Sequence, residues 1–213
     1  MALPQVKPYL TPEEYLRLER QAKTKSQYWE GEVYAMAGVS RIHNTIAANV
    51  IISLGGQLKR RPCAVYPSDM RVKVQPTGLY TYPDVVVVCG KAQFEDRRQD
   101  TLLNPTLIVE VLSPTSEVYD RGVKFGHYRA LATLSDYLLI SQSSPTIEHY
   151  VRQPDDRWLL STYAGLDAVA PLAAIGCELC LADIYDKVEW PEPTETAVIL
   201  RLVKEQQAEY LPC

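Results

Sequence analysis

The sequence predicts an α/β or α+β domain built around a central mixed β-sheet. Three observations predict it. Apolar residues make up 46% of the 213 and charged residues 23%, the balance of an ordinary globular protein of one domain, or one domain with a short appendage. Segments with helical periodicity flank short runs that are nearly all apolar, as strands covered on both faces are. The elements follow the order helix, hairpin, helix, three strands, helix, then strands, which suits one sheet with helices packed on it.

Thr11-Pro12-Glu13-Glu14 opens the first helix, with Thr as N-cap, Pro at the first helical position and acids in the first turn. It runs to about Arg20. Residues 27–37 (QYWEGEVYAMA) read as a hairpin around Glu30-Gly31. Ser40 begins a second helix, in which Ile42, Ile46, Val50 and Leu54 recur every fourth residue. Gly55-Gly56 weakens its end and Pro62 closes it. Strands are expected over 64–74, 83–89 (PDVVVVC) and 106–112 (TLIVEVL). A third helix is expected over 119–131, after Pro114. Strands at 137–141, 146–151 and 158–163 complete the sheet, with residues 153–157 (QPDDR) as a hairpin turn. Residues 1–190 read as one domain. Residues 191–213 read as an acidic tail with a helix over 195–209.

The net charge is −4, from 22 Lys and Arg against 26 Asp and Glu. From Asp183 onward there are seven acids and three bases, so the first 182 residues carry 19 of each sign. A neutral body gives no electrostatic reason to reject nucleic acid. Lys59, Arg60 and Arg61, with Arg71 and Lys73 shortly after, form one basic cluster. It reads either as a solvated helix end or as a patch that contacts phosphates.

The longest aliphatic run, around Val85–Cys89, is far short of the roughly 20 residues of a transmembrane helix. Met1–Tyr9 has two prolines and no apolar core, unlike a signal peptide. A cytoplasmic protein without a membrane partner is expected. The five cysteines, Cys63, Cys89, Cys177, Cys180 and Cys213, are odd in number and imply a reducing compartment. Cys177 and Cys180 have half the spacing of a zinc site, with no second pair, and read as small buried side chains.

The informative residues are acids inside apolar strands. Glu110 lies between Ile108 and Leu112 on one strand face. Burying an unpaired carboxylate costs several kcal/mol or neutralises it, so a cation, a metal or water must compensate. Asp84, set by Pro83, opens the VVVV strand and poses the same problem. A structural ion pair explains either acid alone. If the two strands are neighbours, about 4.8 Å apart, both carboxylates face one cleft suited to Mg²⁺. On the helix that follows, Asp120, Lys124 and Tyr128 share one face at i, i+4 and i+8. Lys124 is then either a solvated partner of Asp120 or a cation held over the acids.

Pro83-Asp84 followed by Glu110 in an apolar strand resembles the PD-(D/E)xK nuclease superfamily. The longer pattern is more specific: HN at 43–44, YPDVVVV at 82–88, NPTLIVEVLSPTSEVYDRGVKFGHYRAL at 104–131 and DYLLI at 136–140. Over residues 10 to 185 it resembles the bacterial Uma family of restriction-endonuclease relatives. The resemblance implies a restriction-endonuclease-like core, with a central mixed sheet flanked by helices. It implies that Asp84 and Glu110 bind Mg²⁺ or Mn²⁺ and that Lys124 is the third catalytic group. The usual lysine two residues after the glutamate is replaced here by Leu112, and Lys124 stands on the next helix instead. Second-tier candidates are His43, as a ligand, phosphate contact or structural residue, and Glu32, in the hairpin. Asp69 reads as a partner of Arg71, Asp120 as the residue that orients Lys124, and Tyr128 as packing.

The activity this implies is metal-dependent hydrolysis of phosphodiester bonds, with DNA as substrate and a homodimer as the form suited to cutting two strands. Lys59, Arg60, Arg61, Arg71 and Lys73 would contact the nucleic-acid backbone. The alternative is a non-catalytic nucleic-acid-binding or protein-interaction module on the same fold.

Overall fold

Local chemistry places the first elements. In the computed structural model, which describes residues 9–190, Thr11 caps α1 (Pro12–Glu19). Its hydroxyl accepts from the Glu14 N–H, and the Glu14 carboxylate accepts from the Thr11 N–H. The hairpin forms as β1 (Ser26–Trp29) and β2 (Glu32–Ala35), and Glu30 and Gly31 both take positive φ at its turn. Ser40 caps α2 (Arg41–Gln57), whose Ile46, Val50 and Leu54 are fully buried. The expected tail helix over 195–209 lies outside the described residues.

The strand expected over 64–74 is two strands in two sheets. Pro67 has no N–H to give a ladder, and the chain turns with the Met70 N–H on the Pro67 carbonyl. β3 (Cys63–Pro67) and β4 (Arg71–Val74) therefore part company. The later strands are β5 (Leu79–Thr81), β6 (Val85–Cys89), β7 (Thr101–Leu102), β8 (Leu107–Leu112), β9 (Asp136–Ser141), β10 (Thr146–Arg152) and β11 (Trp158–Ala164). The larger sheet has six strands in the order β11-β10-β9-β8-β6-β3, antiparallel except for the β8–β9 pair. A second sheet, in the order β2-β1-β5-β4-β7, gathers the hairpin and the second half of the split strand. Sequence periodicity did not foresee it.

The larger sheet is covered on both faces. On one, α2 packs through Ile46, Val50 and Leu54 against Val85, Val87, Leu107 and Val109. A ribbon of β12 (Val169–Leu172) and β13 (Cys177–Cys180), followed by α5 (Leu181–Ile184), closes the same core. On the other face Tyr128, Leu131 and Leu134 meet Val86, Ile108 and Leu139. None of the described helices is long and apolar enough to cross a membrane.

Two expectations need correction. The single helix expected over 119–131 is α3 (Glu117–Tyr119), a π-helical turn over Asp120–Lys124 and α4 (Phe125–Tyr128). Such turns occur mostly as single insertions in helices, often at functional sites. Gly122 and Gly126 lower the helix propensity of this segment, and the Tyr137 hydroxyl donates to the Asp120 carbonyl at 3.0 Å. The implied reducing compartment also sits badly with Cys63 and Cys89, which are disulfide-bonded across the β3–β6 pair. Their strand pairing brings together two cysteines 26 residues apart in the chain. Cys177 is a buried thiol, as expected, and Cys180 a half-buried one.

Candidate active site

The β6–β8 ladder brings the two suspicious acids together. Val85 pairs with Val109 and Val86 with Ile108, so Asp84, just ahead of β6, comes beside Glu110 on β8. Its charge is among those that act on the Glu110 carboxyl. The Val111 N–H donates to Asp84 Oδ2 at 2.7 Å, which ties the loop before β6 to β8. On the other side, His43 Nε2 at the start of α2 lies 2.9 Å from Asp84 Oδ1.

The π-helical turn supplies the cation. Lys124 Nζ lies 2.8 Å from Glu110 Oε1 and 3.1 Å from Asp120 Oδ1, with all three side chains buried. The Asp120 contact is not aligned as a hydrogen bond, and Oδ1 has no hydrogen-bond partner among the described residues. The Tyr128 hydroxyl donates to Glu110 Oε1 at 2.8 Å. Sequence reasoning took this tyrosine for packing. Its ring is packed, and its hydroxyl is also part of the acid cluster.

Glu110 and Asp120 thus share one lysine, and the charge of Asp84 acts on both Glu110 and Lys124. Burial pushes the Glu110 carboxyl up to about 8; Lys124 opposes the shift and the neighbouring charges of Asp120 and Asp84 add to it. Burial works against the Lys124 ammonium, but Glu110 and Asp120 outweigh it and hold the lysine protonated. Burial, then the charge of Glu110, raises the Tyr128 phenol well above its usual range, so it acts as a donor.

Do these residues fit a divalent cation? Among the described residues no three His, Cys, Asp or Glu side chains form a cage for one. The donors are the carboxylates of Asp84, just before β6, and Glu110, on β8, with Asp120 close by and Lys124 paired to Glu110 and Asp120. That matches Mg²⁺, which takes one or two protein carboxylates, keeps waters and accepts phosphate oxygens. It does not match Zn²⁺, which favours nitrogen and sulfur. Asp84 and Glu110 fit Mg²⁺ or Mn²⁺.

The other sequence candidates lie elsewhere. Asp69 pairs with Lys25 at 3.1 Å, not with Arg71. Glu32 stands on β2, where the Tyr34 hydroxyl donates to it. The basic residues do not make one patch. Arg71 is buried, donating to the Tyr82 hydroxyl and Thr101. Lys73 is paired with Glu95 at 2.6 Å. Arg61 donates to the carbonyls of Ile175 and Gly176. Lys59 and Arg60 are exposed just beyond α2. At a 1.5 Å rise per residue the helix carries them roughly 22 Å from His43. Proximity in sequence to the second helix end suggested a patch; the strand split and the burial of Arg71 disperse it.

Sequence reasoning missed Gln142, on the turn after β9. Its amide lies 3.4 Å from His43 Nδ1 and donates to the Leu112 carbonyl. No periodicity marks it; only the six-residue parallel pairing of β8 with β9 brings it beside the end of β8.

The chain is 39% identical over 159 residues to the uncharacterized protein sll1609 of Synechocystis, covering 75% of this chain and 90% of that one. It is 37% identical over 179 residues to slr1290 of the same organism, covering 84% and 92%. Among solved structures it shares its fold with a "putative nuclease" of Anabaena variabilis belonging to DUF820. The TM-score is 0.68 and the identity 18%, over 84% of this chain and 99% of that one. The family model for Uma2, described as "Putative restriction endonuclease", matches residues 12–182. The chain belongs to the Uma2 family.

Proposed function

We propose that this protein is a Mg²⁺- or Mn²⁺-dependent nuclease that hydrolyses phosphodiester bonds in DNA. One observation carries the reading: Asp84, just before β6, and Glu110, on the adjacent β8, belong to one cluster of acids in which a buried lysine pairs with Glu110 and Asp120. Family membership and the nuclease-like fold support it.

Asp84 and Glu110 would hold the ion. When bound, it supplies an acidified water and offsets charge on the phosphorus under attack. Lys124 keeps its proton and stands ready to stabilise charge on a phosphate oxygen. Asp120 and Glu110 hold that ammonium in place, and Tyr128 fixes the Glu110 carboxylate from behind. The site needs no exposed basic patch beside it, because the ion and Lys124 supply the positive charge. Two such sites related by a two-fold axis would cut both strands; light scattering tests that dimer.

The direct test is cleavage of supercoiled plasmid in Mg²⁺, in Mn²⁺ and in EDTA, with an RNA substrate in parallel. Metal-dependent cutting of DNA, lost in Asp84→Asn and Lys124→Met, is the expected result. Cutting that persists in EDTA, or in both variants, would overturn the assignment. Metal-independent DNA binding without cleavage, unaffected by Glu110→Gln, would favour a binding module.

A further inference from the structure

The Asp84 carboxylate is held by more than its own strand. Oδ1 faces His43 Nε2 at 2.9 Å and Oδ2 accepts from the Val111 N–H at 2.7 Å. Each oxygen therefore keeps a lone pair for an ion. Behind His43 stands Gln142. Its Nε2 lies 2.7 Å from the Leu112 carbonyl and 3.4 Å from His43 Nδ1, while the Ser40 hydroxyl donates to its Oε1 at 2.5 Å.

These contacts point to one position for the histidine proton. A carbonyl only accepts, so the Gln142 atom facing Leu112 is the amide nitrogen. An amide nitrogen only donates, so the His43 nitrogen facing it carries no proton. The ring proton is then on Nε2, aimed at Asp84. We propose that Gln142 is a positioning residue: it fixes His43 as the Nε2–H tautomer, and His43 in turn orients the Asp84 carboxylate toward a divalent cation. The proposal rests on the metal-dependent reading above. It also explains a polar chain at the sheet end, from Ser40 through Gln142 and His43 to Asp84, that links the turn after β9, the start of α2 and the loop before β6.

Ring ¹⁵N shifts of histidine-labelled, metal-free protein read the tautomer directly. The wild type should show His43 protonated at Nε2 and bare at Nδ1, and Gln142→Leu should shift the Nδ1 signal, which loses its donor. Unchanged signals from His127 and His149 report that the variants fold. Calorimetric titration with Mn²⁺ then reads the consequence. Gln142→Leu should weaken Mn²⁺ binding about tenfold, and His43→Ala about ten- to a hundredfold. His43→Gln, which offers an N–H with no tautomer to choose, should recover most of the loss. In that background Gln142→Leu should add nothing. A wild-type ring protonated at Nδ1, or equal Mn²⁺ affinity in wild type and Gln142→Leu, overturns the inference and leaves the metal site standing. A wild type that takes up no Mn²⁺ overturns the metal-dependent reading, and with it the purpose assigned to Gln142.

Discussion

Both sheets bury charge, but they balance it differently. Around the five-stranded sheet each cation has its own partners. Arg20 clamps Asp96 and Asp100, at 2.7 and 2.8 Å. Lys73 meets Glu95, and Arg71 lies between the rings of Tyr15 and Tyr82, with its Nε on the Tyr82 hydroxyl. At the end of the six-stranded sheet, Glu110 and Asp120 share Lys124, with the charge of Asp84 close by. A cluster in which each cation has its own partners fixes neighbouring elements. The unmatched one is costly until a further cation arrives, which is the mark of a site built to bind.

The largest effect should fall on the unmatched cluster. Asp84→Asn, Glu110→Gln or Lys124→Met should each lower metal-dependent cleavage at saturating DNA by about a hundredfold to a thousandfold. Glu110→Gln should leave the metal-free protein about as stable as wild type in urea at neutral pH, because burial already drives this carboxyl toward its neutral form. A variant that kept its activity, or unfolded outright, would make this cluster structural like the other.

Arg71→Met is the matching test on the other sheet. It strips a charged donor from Tyr82 and Thr101 and should cost about 2–3 kcal/mol in urea unfolding. A cost near zero would mean that the five-stranded cluster does not hold its strands.

Acid titration separates the two regions by sign. The folded Glu110 carboxyl is raised from 4.5 to about 8, mainly by burial. The unfolded chain thus binds fewer protons than the native one between those values. In EDTA, stability should fall as pH rises through that window, by up to about 1.4 kcal/mol per pH unit. Glu110→Gln should flatten the slope. Asp100 shifts the other way, held below the usual carboxylate range by its hydrogen bonds from Arg20 against the opposing pull of burial. Its contribution is present above the unfolded carboxylate range and fades as pH falls through the depressed folded value. Because Asp100 is a third exposed, Arg20→Ala should remove only about 1 kcal/mol, and only above that range. Urea titrations across pH check both signs.

Much of this contrast was legible in the sequence. Glu110 among aliphatic residues, Asp84 behind a proline, and Lys124 four residues after Asp120 are local signals, and the helices and main strands around them obey local rules. What was hidden depends on tertiary pairing. Pro67 ends β3, but nothing local says that β4 will leave for a second sheet. The π-helical turn reads as an ordinary helix until Asp120 and Lys124 are seen against Glu110. Arg71 and Lys73 looked like part of a basic surface because their partners, Tyr82, Thr101 and Glu95, arrive later in the chain. Gln142 and the disulfide between Cys63 and Cys89 needed the strand register.

The most direct test is anomalous diffraction from a crystal of this protein soaked in Mn²⁺. The unmatched cluster predicts a peak within bonding distance of both Asp84 and Glu110, with Lys124 still near Glu110 or Asp120. A peak bound elsewhere, or none at these acids in fully soaked crystals, would contradict the account.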